Sequence, residues 1–364
     1  MLGLLLYSPT VVYIPHLTVL LAFLYIIFFK KKKNFRLPIN NDIKIIVVII
    51  ILSIINRLLH LDHAVKLPDI IPYIILLIPT YYISINLNKR DLLILINLIL
   101  LESFVVILEF HFGVSTFFTR LAGYQTFDEN ALMYFTRPLG LSENSSDVAS
   151  KLLIAILLIE FLQLKSFQYK VYRVIIIFAL ILTFTRSALV ALVFFYVFFY
   201  FEFIVSKSKK YKILIIKIAS VFIILSILSY IAILFGDLIL MQFTRNNGNI
   251  ELAGRDLIWH HFFNFIEDNL ILGNGSYKLF IPYYQGRMAH AHNSFIELLA
   301  TNGIIIFTLY MFLIFKNIKI NNIKFVFSLF VFSMAQYIIF WGISLEDIVL
   351  FYLLKYNFKK GIKC

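Results

Sequence analysis

Long apolar runs alternate with short polar stretches along almost the whole chain. A helix needs about 20 apolar residues to cross a bilayer. Runs of about this length, or slightly shorter, lie at residues 9–29, 43–60, 70–87, 92–110, 148–164, 171–185, 187–205, 212–235, 292–315, 325–341 and 344–357. The pattern therefore predicts an all-α fold, a polytopic transmembrane helical bundle of about 11–12 spans with one large external loop containing short helices.

One polar interruption, from Gly236 to Gly303, is much longer than the others. Loops between spans need only a few residues, so we expect this stretch to carry the function. The predicted division of the chain is into N-terminal transmembrane helices at 1–235, a large external loop at 236–291 and C-terminal transmembrane helices at 292–364.

An amphipathic helix is predicted inside the large loop, over Asp256–Asn269. Its apolar residues follow the i, i+3, i+4, i+7 spacing of one helical face and are Trp259, Phe262, Phe263 and Ile266. This face is expected to lie against the bilayer interface or the helical bundle.

Composition and charge support a membrane protein. At 61% hydrophobic and 15% charged residues, the chain is too apolar for a soluble globular domain. The net charge of +13 does not indicate nucleic-acid binding, because the lysines cluster at every second loop, as the positive-inside rule expects of cytoplasmic loops. The expected location is the bacterial cytoplasmic (inner) membrane, with the large loop facing the periplasm or exterior.

The two ends of the chain raise separate questions. The first apolar run lacks a preceding basic region, so it is predicted to be a retained span and not a cleaved signal peptide. An odd number of spans with the C-terminus inside would leave the N-terminus outside, which is uncommon. Either Met1–Tyr13 is therefore a partial helix, or the span count is wrong near Pro15. The single cysteine, Cys364, excludes an internal disulfide and a thiolate metal cluster, and neither a metal nor a cofactor is expected.

Arginine and histidine are concentrated on the predicted outer side. Seven of the ten arginines lie there, but only three of the 23 lysines, and seven of the eight histidines. Arginine offers a permanent charge and a planar fork of donors that binds phosphate in two places, and histidine accepts protons near neutral pH. This asymmetry indicates a phosphate-bearing substrate and a general base.

Four polar segments on this side carry a family resemblance. They are Arg137-Pro138-Leu139-Gly140 with Glu143-Asn144, Thr185-Arg186-Ser187, Gly254-Arg255-Asp256 with Leu272-Gly273-Asn274-Gly275, and Ala291-His292-Asn293-Ser294-Phe295. Together, over about residues 137–310, they resemble the bacterial O-antigen polymerase and ligase superfamily of Wzy-type polymerases and WaaL-type ligases. Thr185 stands where the family has serine, which is a mild departure.

The resemblance implies a GT-C-like membrane glycosyltransferase that moves a glycan from an undecaprenyl diphosphate carrier to an acceptor sugar on the outer face. The implied partners are undecaprenyl-diphosphate-linked oligosaccharides as donor and acceptor, and the lipid bilayer. A chain-length regulator is a further candidate partner. Fixed guanidinium groups can stabilise the leaving diphosphate without a metal, and direct attack by the acceptor inverts the anomeric configuration.

Within this scheme His292 is the candidate base, and Arg186 and Arg255 are the candidate diphosphate ligands. Further candidate substrate-binding residues are Arg137, Arg245, Arg287 and Asn293. Each has a plainer alternative. Arg186 is also typical of a cation that snorkels from a helix end, and His292 and Asn293 also suit the start of a helix, where Asn caps well.

The leading functional hypothesis is an O-antigen or capsular polysaccharide repeat-unit polymerase. The first alternative is an O-antigen ligase that transfers the finished glycan to lipid A-core, and a Gram-positive relative acting on another envelope polymer is also compatible. The second alternative is a transporter or flippase for the lipid-linked sugar. Transport requires charges along a path through the membrane, whereas Glu102, Glu109, Glu160 and Glu202 are expected toward helix ends.

Overall fold

A computed structural model describes residues 2–12, 15–30, 40–63, 73–117, 137–205, 254–283 and 287–355. These ranges contain twelve α-helices: α1 (Leu2–Val12), α2 (Pro15–Tyr25), α3 (Asn41–Leu59), α4 (Leu77–Asn86), α5 (Lys89–Phe112), α6 (Ser145–Phe161), α7 (Phe167–Leu182), α8 (Arg186–Val205), α9 (Arg255–Asp268), α10 (Ser294–Phe315), α11 (Ile323–Ser333) and α12 (Leu345–Lys355). Two short antiparallel strands, β1 (Ile281–Tyr283) and β2 (Arg287–Ala289), pair between α9 and α10. The mostly helical fold predicted from the apolar runs is confirmed.

Helix α6 lies at the centre of the helical packing. Every residue from Val148 to Ile159 is buried, so this helix is enclosed on all sides. This fits a stretch that is apolar around the helix apart from Ser150 and Lys151. It packs against α5, α7 and α8, while α3 packs against α10 and α4 against α12. Within the described ranges, two helices, α5 and α10, are long and apolar enough to cross a membrane.

Two predicted elements differ from the structure, and a third is not tested by it. The first apolar run contains parts of two helices, because α1 ends at Val12 and α2 begins at Pro15. Of the two predicted alternatives, this agrees with a separate helix at the N-terminus. The predicted span at 325–341 is wrong in its second half, since α11 ends at Ser333 and residues 334–344 are irregular. The predicted span at 212–235 lies outside the described residues.

The irregular stretch after α11 has a clear physical cause. The buried carboxylate of Asp347 accepts hydrogen bonds from the backbone N–H groups of Phe340 and Gly342, each at 2.7 Å. These N–H groups are therefore satisfied without a helix. The apolar composition of the stretch is equally typical of a helix and of a buried turn, so periodicity alone did not distinguish them.

The position of Glu102 corrects another expectation. It lies in the middle of α5, not toward its end, and is fully buried. Its carboxylate accepts hydrogen bonds from the Tyr7 hydroxyl at 2.9 Å, the Lys151 ammonium at 2.6 Å and the Leu141 N–H at 3.1 Å. Glu102 thereby joins α1, α5 and α6 to the turn that follows Arg137.

The end of the bundle where α3 begins carries lysine-based ion pairs. Asp42, near the start of α3, forms salt bridges with Lys316 at 2.6 Å and with Lys355. At this end of the bundle, Glu160 near the end of α6 also pairs with Arg173 of α7, at 2.9 Å. We call this the lysine end; α10 and α12 run toward it from the opposite end of the bundle.

Candidate functional site

Helix α9 forms a wall of the candidate site. It buries Ile258, Phe262 and Ile266 against β1 and α10, so the predicted amphipathic helix is confirmed over nearly its predicted length. Phe263 was assigned to the apolar face, but 48% of its surface is exposed. The buried face of the helix begins at Ile258 and is rotated slightly about the helix axis relative to the predicted apolar face.

The turn before α10 presents two histidines beside this wall. The indole N–H of Trp259 donates to the Ala291 carbonyl at 2.8 Å, and the Ala291 N–H donates to the Glu297 carboxylate at 2.8 Å. The His292 N–H donates to Nδ1 of His290 at 3.2 Å, so the neutral ring of His290 carries its proton on Nε2. The turn is thus held by hydrogen bonds to α9 on one side and to α10 on the other.

Asn293 caps the helix that follows. Its side-chain oxygen accepts hydrogen bonds from the N–H groups of Phe295 at 2.9 Å and Ile296 at 3.2 Å. This is the capping alternative given above, and it orients the residues just before it. The Ser294 hydroxyl is also engaged, because it donates to the Gln336 carbonyl at 3.0 Å.

Arg255, Lys278, His290 and His292 form one electrostatic group, which we call the histidine cluster. The two histidine rings lie 4.0 Å apart between centroids. Burial first, and then the positive charges of Arg255 and Lys278, lower the pKa of His292 to about 4. Burial and then His292, Lys278 and Arg255 lower the pKa of His290 to about 3. Both imidazoles are therefore neutral at pH 7, in a positive local potential.

Lys278 and two aromatic residues were missed by sequence reasoning. The Lys278 ammonium lies 5.3 Å from the ring centroid of Tyr337 and 5.4 Å from that of Trp341, and the His290 ring lies 5.9 Å from that of Tyr337. Lys278 was one of only three lysines on the predicted outer side, and this exceptional position could have singled it out. Nothing in the sequence joined residues 337 and 341 to the site, because they fall in a stretch predicted as helix.

Hydrogen bonds join the beginnings of three helices at the end of the bundle that bears the cluster. The Thr185 hydroxyl, just before α8, donates to the Ser145 carbonyl at the start of α6, at 3.3 Å. The Gln336 amide donates to the Ser146 hydroxyl at 3.0 Å, and Gln336 in turn accepts from Ser294, the first residue of α10.

The predicted catalytic residues thus lie at one end of the bundle. Arg255 and His292 belong to the histidine cluster, while Arg186 is the first residue of α8 and is half-buried at that same end. Arg137 precedes a turn in which the Ser142 N–H donates to the Leu139 carbonyl at 3.0 Å.

Two predicted substrate-binding residues are not placed in the cluster by the structure. Arg245 lies outside the described residues. Arg287 begins β2, where its backbone pairs with that of Tyr283, and its side chain is outside the described part. Among the residues that are described, no group of three or more His, Cys, Asp and Glu side chains has the arrangement of a metal site.

One outer arginine has a structural role instead. Arg57, at the end of α3, donates from Nε and Nη2 to the Ser276 carbonyl at 3.0 and 2.9 Å, and its guanidinium lies 4.5 Å from the Tyr277 ring centroid. It is buried. The concentration of arginine on this side therefore includes at least one residue that holds the loop in place.

Comparison with known families agrees with the motifs. Residues 171–311 match the family model Wzy_C, described as O-Antigen ligase. The matched segment is less than half of the chain, but it contains Arg186, Arg255 and His292, and it confirms the resemblance to the O-antigen polymerase and ligase superfamily. Searches of curated proteins and of solved structures found no match. The match supports a function of the polymerase or ligase type in general and does not distinguish the two.

Proposed function

We propose that this chain, which carries the O-antigen ligase family domain over residues 171–311, is a membrane glycosyltransferase that polymerises lipid-linked repeat units on the outer face of the bacterial cytoplasmic membrane. The donor glycan leaves undecaprenyl diphosphate and is transferred to a sugar hydroxyl of the acceptor. The observation that carries the proposal is the histidine cluster, in which neutral imidazoles lie within the positive field of Arg255 and Lys278.

The reaction makes two demands on the site. The acceptor oxygen attacks the anomeric carbon of the donor, and the bond from that carbon to the phosphate oxygen breaks, so the electron pair leaves with the diphosphate. Fixed cations stabilise the charge that develops on the phosphates. The hydroxyl proton must pass to a base, and a neutral imidazole provides a free lone pair for it.

We assign His292 as this base and Arg186 and Arg255 as diphosphate ligands. The half-buried position of these side chains supports the assignment, because electrostatic interactions are stronger where water is partly excluded. Because the acceptor displaces the diphosphate in a single step, the anomeric configuration of the transferred sugar is inverted. No step in this scheme requires a metal.

The transport alternative is less well supported by the buried charges. Glu102 and Lys151 are almost completely buried, at 0% and 1% exposure. Their charges, however, are paired at 2.6 Å, and the carboxylate also binds Tyr7 and the backbone of Leu141. A carboxylate with these partners serves to hold helices together, since removing it would leave a buried cation unpaired.

The catalytic assignment is tested by replacing Arg186, Arg255 and His292 singly with alanine in the source bacterium. Each variant is expected to lose long surface polysaccharide, with at least about a hundredfold drop in chain formation, as for the loss of one stabilising donor or base. Arg186→Lys is also expected to fail if bidentate phosphate binding is required. The matched control is Arg90→Ala, an exposed arginine near the start of α5, which should leave chain length unchanged.

Full-length polysaccharide in all three alanine variants, each present in the membrane at wild-type abundance, would refute the assignment. Polymerase and ligase are separated by the deletion strain in a lipopolysaccharide-producing host. Loss of a polymerase leaves lipid A-core capped with one repeat unit, whereas loss of a ligase leaves lipid A-core without any repeat unit.

A further inference from the structure

A cavity lies beside the histidine cluster, among α1, α6 and α12. Its volume is about 100 Å³, which at about 15 Å³ per water gives room for about six or seven water molecules. That space is on the scale of one sugar ring, not of an extended glycan. The lining is mostly apolar. Its polar residues are Thr10, Asp147, Lys151, Ser344 and Glu346, and its aromatic residues are Tyr337 and Trp341.

The two aromatic rings belong to both the cavity and the cluster. Tyr337 and Trp341 lie 5.7 Å apart between centroids, and each has the Lys278 ammonium within 5.4 Å of its ring centroid. His290 contacts Tyr337 on the cluster side. A ligand in the cavity would therefore contact the same rings that border the histidine cluster.

The position of Trp341 is fixed by its backbone. Asp347 binds the N–H groups on both sides of it, at Phe340 and Gly342, each at 2.7 Å. The Ser344 hydroxyl donates to the Ile338 carbonyl at 2.8 Å and closes the same turn. A platform held in this way loses little conformational freedom when a ligand binds.

The cavity offers hydrogen-bond acceptors where the cluster offers cations. Asp147 and Glu346 supply carboxyl groups, and the one cation of the lining, Lys151, is already paired with Glu102 at 2.6 Å. A diphosphate would therefore have no available cation here. A neutral sugar fits, because its hydroxyl groups can donate to the carboxylates and its C–H face can stack on an aromatic ring.

We propose that this cavity binds the terminal sugar of the acceptor glycan, with the ring stacked on Trp341 and its hydroxyl groups bound by Asp147 and Glu346. The inference rests on the proposed function, because it assumes that the acceptor hydroxyl reacts beside His292. The cationic cluster would hold the diphosphate of the donor, and the acidic and aromatic cavity would hold the neutral acceptor.

The test measures binding of two probes to the full-length protein in detergent. One probe is the oligosaccharide released by mild acid hydrolysis of the source bacterium's own surface polysaccharide, and the other is inorganic pyrophosphate. The chain has two tryptophans, so Trp259→Phe leaves Trp341 as the sole tryptophan, whose emission is excited selectively at wavelengths that tyrosine does not absorb. The oligosaccharide is expected to change the fluorescence of this variant, and the protein with Trp341→Phe should show no such change from Trp259.

Affinities are then measured by calorimetry in cavity variants. Asp147→Asn, Glu346→Gln and Trp341→Ala are each expected to weaken oligosaccharide binding by about tenfold or more, because each removes a carboxyl group that binds a sugar hydroxyl, or the stacking surface. Pyrophosphate binding should change by less than about twofold, a shift well below that of a lost direct contact. The control is Glu143→Gln, which removes an exposed carboxylate near Asp147 that does not line the cavity.

The outcomes separate the two proposals. Oligosaccharide affinity that stays unchanged in both amide variants, which preserve side-chain size, would overturn the acceptor site while leaving the proposed function in place. Failure of pyrophosphate to bind the wild-type protein would count against the proposed function. Selective loss of oligosaccharide binding in the cavity variants, with pyrophosphate binding retained, supports the acceptor site.

Discussion

His292 combines an unusual backbone with an unusual electrostatic environment. Its φ is 49°, in the left-handed region that few residues other than glycine adopt. The hydrogen bonds of the neighbouring Ala291 to Trp259 and Glu297 hold the turn in this shape. Strained positions of this kind are often found at functional sites. Burial, and then the charges of Arg255 and Lys278, lower the pKa of the imidazole and keep it unprotonated.

The lowered pKa leads to a specific pH dependence. The acid limb of kcat/KM, which reports the free enzyme, should lie near pH 4 to 5 and not near 6.5, because protonation of His292 removes the base only below its lowered pKa. The acid limb of kcat should lie at higher pH, because the negative diphosphate in the bound complex raises the pKa of the imidazole. Rates of glycan transfer measured from pH 4 to 8 would check both limbs.

Lys278→Met should move the acid limb of kcat/KM upward. Removing one positive charge weakens the repulsion of the imidazolium, so the pKa of His292 returns toward its ordinary value. Lys319→Met, which removes an exposed lysine beyond α10, is the control and should leave the limb in place. An acid limb at the same pH in both variants would contradict the electrostatic link between Lys278 and His292.

At the scale of elements, a break in α10 docks the large loop onto the bundle. Gly303 has φ 74° and ψ 175° inside this helix. The interruption frees backbone groups that bind the loop: the Asn274 N–H donates to the Ala300 carbonyl and the Ile304 N–H to the Leu270 carbonyl, both at 2.8 Å. The loop segment that leads to Lys278 is thus held by main-chain hydrogen bonds.

Gly303→Ala should destabilise the protein by about 3 kcal/mol or more, because strain at positive φ is joined by a steric overlap. A Cβ at this position would lie 2.0 Å from the Ile271 carbonyl oxygen. The matched control is Gly342→Ala, which also has positive φ but whose nearest neighbour would be 3.6 Å away. This variant should lose only about 1 kcal/mol, the cost of the backbone conformation alone. Thermal unfolding in detergent compares the two, and equal losses would rule out the overlap as the cause.

At the scale of the whole molecule, the two ends of the bundle differ in the cations that form their main charged groups. Lysine pairs with Asp42 at the lysine end, whereas Arg186, Arg255 and the histidine pair lie at the opposite end. From the positive-inside rule we expect the lysine end to lie in the cytoplasm, and the proposed reaction would then take place outside.

Cysteine labelling tests this orientation. With Cys364 replaced by serine, single cysteines are introduced at the exposed positions Glu143 and Asp268 near the site, and at Arg90 and Asn321 near the lysine end. A maleimide that cannot cross membranes should label the first pair in intact cells and the second pair only after permeabilisation. The reverse pattern would place the histidine cluster in the cytoplasm and exclude an external reaction.

The sequence by itself determined the helical class, the amphipathic helix at α9 and the candidates Arg186, Arg255 and His292. These features are local, because helical periodicity and short motifs depend on residues that are close in the chain. It did not predict the β1–β2 hairpin, whose two strands are only three residues each and too short to give a periodic signal.

Only the tertiary structure decided what surrounds the candidates. Lys278, Tyr337 and Trp341 reach one another from separate segments, and their proximity depends on how α10 and the turn held by Asp347 pack. For the same reason, the sequence did not predict that Arg57 binds the backbone of the loop or that Glu102 joins three helices through hydrogen bonds. A charged residue in an apolar stretch looks the same in sequence whether it binds a substrate or a distant backbone carbonyl, and the fold alone supplies the partner.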